Sequence, residues 1–159
     1  MTAPEPDEEQ LERAREFAYR QLARRDRTVA EIDRHLATRG VSPAVAAAVV
    51  AELHDHGYLD DSRFARRFSE DRRALDGWGS ERIRRRLREL GVARDVVEAE
   101  LARHDEADEL TAALALLRRR FPAPPDDDRA RARALALLVR RGYEPELAHD
   151  AIRSLDAQR

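Results

Sequence analysis

The chain has no cysteine and no lysine among its 159 residues. Without thiols it can form neither a disulfide nor a thiolate metal site. Glycine is scarce, aromatic residues make up only 5%, and there is one tryptophan. No glycine-rich phosphate loop and no nucleophile elbow around any of the five serines is present. No apolar run approaches the ~20 residues of a membrane span. The opening stretch MTAPEPDEEQ is acidic and lacks a signal-peptide core. The expected location is therefore the cytoplasm. Residues that favour strands are few and scattered, which points away from a sheet protein.

What is present is charge at helical spacing. Charged residues are 39% of the chain and apolar residues 42%, the latter recurring on helical faces, so the chain reads as folded and helix-rich rather than disordered. All thirty basic side chains other than histidine are arginine. Each is permanently charged, planar and able to grip phosphate or carboxylate with two prongs. The net charge of −2 hides segregation: residues 63–94 carry eleven arginines against five acids, and residues 95–109 carry seven acids and one arginine. Such sorting suggests a surface with a basic zone.

Three stretches align on one glycine: RHLATRGVSPAVAAAVVAEL, RRLRELGVARDVVEAELARH and LALLVRRGYEPELAHDAIRSL. Gly40, Gly91 and Gly142 are each 51 residues from the next. Four positions earlier stand Leu36, Leu87 and Leu138; five positions later, Val45, Val96 and Leu147; ten positions later, Val50, Leu101 and Ile152. A fixed period of this kind marks an internal repeat. In each copy a helix stops at the glycine and another begins shortly after, with Pro43 and Pro145 near the first helical turn. Ser42 is a candidate cap, and Thr28 with Glu31 has the spacing of a capping box. Val45, Val49, Val50 and Leu53 share one face, as do Ile83, Leu87 and Leu90.

A further helix precedes each pair, over roughly residues 8–25, 60–75 and 105–121, and the last runs into FPAPPDDD, whose prolines break it. The expected fold is all-α, with three tandem three-helix repeats in an elongated, curved array. The expected divisions are an acidic flexible leader at 1–10 and repeats at 11–56, 57–104 and 105–157. The alternative is one irregular helical bundle.

Asp60 and Asp61 in GYLDDSRFARRF are the obvious candidates for chemistry. They fall after Gly57, where a new helix starts, and carboxylates are favoured at that end by unpaired amides and the helix dipole. Phe64 and Phe68 continue the helix as its buried stripe. No second set of acids or bases converges on the pair, as catalysis would need. His54 and His56 are two apart and diverge on a helix, and His35, His104 and His149 stand alone. The expectation is a protein without catalytic residues, metal or cofactor.

The run SERIRRRLREL carries more information. With Ile83, Leu87 and Leu90 inward, Arg84, Arg85 and Arg88 project outward and Arg82 and Arg86 lie on a flank. The i,i+4 pairs Arg82/Arg86 and Arg84/Arg88 each cost an isolated helix about 0.2–0.5 kcal/mol; Glu81 and Glu89 are placed to offset this through Arg85. A helix retaining such repulsion suits an anionic partner, although a solvated basic face explains the run equally well. Arg63, Arg66, Arg67, Arg72 and Arg73 extend the set on the preceding helix, and Arg24, Arg25 and Arg27 add to it in the first repeat. Trp78, in DGWGS, either folds back over a core or stacks on a base or a partner's pocket, the first being the commoner role.

The order RQLARRDRTVAEIDRHLATRGV…VVAELHDHGYLDDSRFARRF…RIRRRLRELGV resembles the RecX family, regulators of the bacterial RecA recombinase. ALALLRRRF…LLVRRGYEPELAHDAI is similar to that family's last repeat, so the resemblance spans residues 11–155. It implies tandem three-helix repeats. It also implies a monomer that binds RecA filaments on single-stranded DNA and inhibits RecA's ATPase, strand-exchange and coprotease activities. The family lodges in the filament groove or stops filament growth, with direct single- or double-stranded DNA contact a further possibility. Arginine in place of every lysine, the acidic leader and the proline-rich break depart from the family pattern. The rival reading is a helix-turn-helix regulator of transcription, since RHLATRGVSPAVAAAVV is helix, glycine turn, helix. Its second helix, mostly alanine and valine, has few side chains to read base edges. A helical scaffold for an unrelated protein is a third.

Overall fold

Apolar residues at helical spacing, bounded by side-chain caps, divide the computed structural model into α-helices, with no strand among the described residues, 5–158. The first unit comprises α1 (Glu8–Arg24), α2 (Val29–Thr38) and α3 (Pro43–Asp55). The second comprises α4 (Asp61–Asp71), a π-helical turn (Arg72–Asp76) that prolongs it, α5 (Ser80–Glu89) and α6 (Arg94–Leu101). The third comprises α7 (Glu106–Arg120), α8 (Asp128–Arg141) and α9 (Pro145–Ala157). The expected leader lies partly outside the described residues, and from Glu8 onward it is already helix, with Asp7 capping α1.

Most of the starts follow the capping rules. Thr28 and Glu31 form a reciprocal capping box, Ser42 accepts from the Val45 amide ahead of Pro43, and Asp60 accepts from the Arg63 amide. The second helix of every unit ends alike. The amide following the glycine donates to the carbonyl of the repeat leucine: Val41 to Leu36, Val92 to Leu87 and Tyr143 to Leu138, each at 3.0 Å. This closing motif satisfies orphan carbonyls and seats an apolar residue over the last turn. Leu36, Leu87 and Leu138 are fully buried, and around them each unit builds its own apolar cluster.

The buried register differs from the sequence reading in one detail. Five residues past the glycine, only Val45 is buried, whereas Val96 and Leu147 sit on the shoulder. The next residue, Ala46, Val97 or Ala148, faces inward in all three units. The inward face of the third helix is therefore centred nearer the second of these positions than the first. The accessible surface is 10153 Å², against about 8,100 Å² for a compact monomer of this mass, as expected of units laid side by side.

The units join through helix ends. At the C-terminus of α5, the Leu90 carbonyl accepts the Thr28 hydroxyl at the start of α2, at 2.7 Å. At the C-terminus of α8, the Arg141 and Gly142 carbonyls accept the Gly79 and Glu81 amides at the start of α5, at 2.8 and 2.9 Å. The second helices α8, α5 and α2 thus stand in file, negative end to positive end. A carboxylate from the following unit's first helix clamps each joint. Asp61 accepts the Val29 amide at 3.0 Å, and Glu109 accepts the Ser80 amide at 3.2 Å and the Ser80 hydroxyl at 2.7 Å. Val29 and Ser80 are one 51-residue period apart, so the joints are quasi-equivalent.

Gly142 has φ +96°, and a Cβ there would run into the backbone and Cβ of Arg82; Gly40 has φ +77° with nothing within 4 Å. Gly40→Ala is expected to lose about 1–2 kcal/mol, the cost of left-handed backbone. Gly142→Ala should lose a further ~1–3 kcal/mol by overpacking the joint. Urea unfolding compares them, and equal losses would mean that the joint yields freely.

Candidate basic interface

The amphipathic sequence of α5 decides which arginines reach solvent. Ile83 and Leu87 are buried, so Arg85, Arg86 and Arg88 emerge on the opposite side and are exposed. The expected offset of repulsion through Arg85 does not occur. Glu89 pairs instead with Arg86 at 3.1 Å, and Glu81 pairs with Arg84, because three-residue spacing brings these side chains together on the turn. Arg84 does not project freely either. It spans the α5–α6 groove to Glu98 at 2.8 Å. That hydrogen bond raises the guanidinium's pKa and holds Glu98 below the usual carboxylate range, with the charges of Arg94 and Arg88 adding to the effect on Glu98.

Among the described residues, Arg85, Arg88 and Arg94 make no close ion pair, Arg88 and Arg94 acting on Glu98 only at longer range, and the three are exposed and give the second unit its basic face. Sequence reasoning passes over Arg94 because it stands alone at a helix start, outside the arginine run of α5. The equivalent positions are Arg34, Ala37 and Pro43 in the first unit and Ala136, Val139 and Pro145 in the third. Only the second unit therefore assembles three guanidinium groups there.

Arg73 leaves the candidate set. Its side chain is 14% exposed and ion-paired with Glu109, itself 10% exposed, and it also donates to the Ser80 hydroxyl at 2.9 Å. It closes the joint between the second and third units, because the π-helical turn rotates it inward. Tyr143 completes this joint by donating to the Gly77 carbonyl at 3.0 Å, and burial pushes its phenol up to about 12. Glu109 was invisible in the sequence, where it reads as one more acid in a first helical turn.

Arg24, Arg25, Arg63, Arg66 and Arg67 are exposed, and Arg27 is half-buried. Arg25 pairs with Glu31 at 2.7 Å, Arg66 with Glu70 at 3.2 Å and Arg67 with Asp26 at 3.0 Å; Arg63 donates to the Gly57 carbonyl. Arg72 pairs with Asp76 at 2.6 Å. Arg82 donates to the Arg140 carbonyl and lies over Trp78, 4.2 Å from the ring centroid. Trp78 does fold back, its edge meeting Phe68 at 6.1 Å, yet it stays half-exposed. Among the described residues no three His, Asp or Glu side chains converge as a metal site. No helix among them is long and apolar enough to cross a membrane.

The molecule is thus defined as a tandem three-helix-repeat protein carrying an arginine-rich face. Comparison with known proteins narrows this class. Residues 14–53, 60–101 and 106–152 match the first, second and third three-helix domains of RecX. The chain is 38% identical over 146 residues to the regulatory protein RecX of Halorhodospira halophila, covering 91% of this chain and 89% of that one. It is 36% identical over 149 residues to that of Mycolicibacterium vanbaalenii, covering 89% and 81%. The crystal structure of RecX from Lactobacillus salivarius has the same fold, with a TM-score of 0.82 at 17% identity over 94% of this chain and 98% of that one. The chain belongs to the RecX regulatory protein family.

The aspartate pair divides its labour. Asp60 caps its own helix, whereas Asp61 turns away to the Val29 amide of the first unit. Burial raises the Asp61 carboxyl above its ordinary value, with Asp60 adding to the rise and the Val29 bond opposing it. Protonated Asp61 therefore favours the fold below the ordinary carboxylate range, and that contribution is lost as pH rises through the raised value. Asp61→Asn keeps an acceptor for Val29 without the charge. Its stability relative to the parent should rise between about pH 4 and neutrality. Asp61→Ala should lose about 1–3 kcal/mol by orphaning the amide. Urea titrations across pH read both, and parallel pH curves for parent and Asp61→Asn would refute the assignment.

Proposed function

We propose that this chain binds RecA filaments formed on single-stranded DNA and inhibits RecA's ATPase, strand-exchange and coprotease activities, by occupying the filament groove or blocking filament extension. It acts as a cytoplasmic monomer, without a cofactor and without chemistry of its own. The observation that carries this reading is the family match, which extends through all three units of one continuous array. The file of joined helices supports it, because units laid side by side and tied at their ends can touch neighbouring subunits of a polymer at once. Arg85, Arg88 and Arg94 supply charge for an acidic RecA surface or DNA phosphate, and the acidic stretch 95–109, apart from the buried Glu109, supplies the opposite sign for basic loops. The units act as modules over 11–56, 57–104 and 105–157.

The rival reading, a sequence-specific duplex binder, is disfavoured by α3. Its outward positions include Ala44, Ala47, Ala48 and Ala51, which carry no group to hydrogen-bond a base edge.

Arg85→Gln with Arg88→Gln removes two charges without placing a new carboxylate beside Arg84 and Glu98, and tests the basic face. In RecA ATPase assays on single-stranded DNA, the parent should inhibit. The double variant should need about tenfold more protein at low salt, and the difference should shrink toward ~1 M salt, where screening acts within about 3 Å. Absence of inhibition by the parent would overturn the proposed function. Unchanged inhibition by a folded double variant would remove this face from it.

A further inference from the structure

Between α2 and α3 of the first unit runs an open groove of about 680 Å³, its apolar lining formed mainly by Val29, Ala37, Val41, Ala47, Val50 and Ala51. One carboxylate stands on each bank, Asp33 on α2 and Asp55 on α3. We propose that this groove binds the outer face of α8 from a second copy of the chain, head to tail, with Arg129, Arg133 and Arg140 of that copy reaching Asp33 and Asp55. The contact needs no RecA and so goes beyond the proposed function.

The repeat shows what the first unit lacks. In the second unit Arg84 bridges the equivalent groove to Glu98 at 2.8 Å, and in the third Arg131 bridges it to Asp156 at 3.5 Å. The matching positions in the first unit are Asp33 with Ala47 and Val29 with His54, and all four line the open groove. Neither pair can form an arginine–carboxylate bridge. Among the described residues Asp33 makes no close ion pair, and Asp55 meets only the exposed His54, at 3.9 Å. The outer face of α8 is the complement. Ala132, Ala136 and Val139 form an exposed apolar ridge at helical spacing, Val139 being 44% exposed. Arg129, Arg133 and Arg140 run along one flank of it, all exposed and, among the described residues, without a close ion pair. Small side chains on both surfaces let the helix settle between the banks, and opposite charges fix which way round it lies. Nucleic acid is a poorer occupant, because the two aspartates repel phosphate; an acyl chain would fill the floor and leave both carboxylates unanswered. One helix in one groove is a small contact of the weak class. The free chain is therefore a monomer when dilute, and copies meet where a filament crowds them. That setting rests on the proposed function, whereas the contact itself does not.

Sedimentation equilibrium of the full chain without RecA, at low salt and from about 10 μM to 1 mM, should show the mean mass rising with a dissociation constant of about 0.1–1 mM, and added salt should reverse the rise. Ala47→Arg places a cation on α3 opposite Asp33 and closes the groove with the second unit's bridge in reversed polarity. Ala136→Glu puts a carboxylate on the ridge of α8. Both positions are exposed, so both variants should fold, which melting curves check. Each alone should associate at least about tenfold more weakly. Mixed in equal amounts they should pair again, because Ala47→Arg keeps an intact α8 and Ala136→Glu an intact groove. A parent that stays monomeric up to about 1 mM, undiminished association by either folded variant, or a mixture that fails to recover would each overturn the contact. RecA ATPase inhibition, measured in parallel on dilute protein, separates the two proposals: inhibition without self-association ends this one alone, and self-association without inhibition ends only the RecA reading.

Discussion

The contact on which the rest of the molecule depends is that of one helix end upon another. A helix leaves amides unpaired at its start and carbonyls unpaired at its finish. Here the finish of α8 serves the start of α5, and the finish of α5 serves the start of α2. Each joint therefore satisfies groups that would otherwise need water or a side chain. This explains why α5 begins without a side-chain cap: Gly79 stands at that position, and the Arg141 carbonyl receives its amide. A Cβ on Gly79 would come within 2.6 Å of the Gly142 carbonyl oxygen, so the approach itself demands glycine.

Two carboxylates make the joints specific. Asp61 and Glu109 each reach back from the following unit to the first amide of a second helix. Glu109 does so while paired with Arg73 in a largely buried setting. A pair of this kind adds little net stability over apolar packing, but removing one partner is costly because the other charge is stranded. It ties the first helix of the third unit to the start of α5 in the second.

The joints also sort the arginines. Arg73, Arg82 and Arg141 are drawn into contacts between the second and third units. Arg85, Arg88 and Arg94 are left on one exposed face, and Arg67 and Arg86 line a groove with Phe64, Phe68 and Trp78. The same fold position thus carries different chemistry from unit to unit: Arg84 bridges to Glu98 in the second, where the first has Asp33 and Ala47. Repetition supplies the scaffold, and divergence at solvent-facing positions gives each unit its own surface chemistry.

The sequence by itself determined the nine α-helices of the described residues, three of their caps and the 51-residue period, because these depend on neighbours within one or two turns. Thr28, Ser42, Asp60 and the repeat leucines were legible for that reason. Tertiary structure alone decided the fate of Asp61, Arg73, Arg84 and Glu109, whose partners lie 14 to 36 residues away on another helix. A charge at a helix surface looks the same in sequence whether it meets water or a neighbouring unit. Only the docking of helix ends in space tells the two apart.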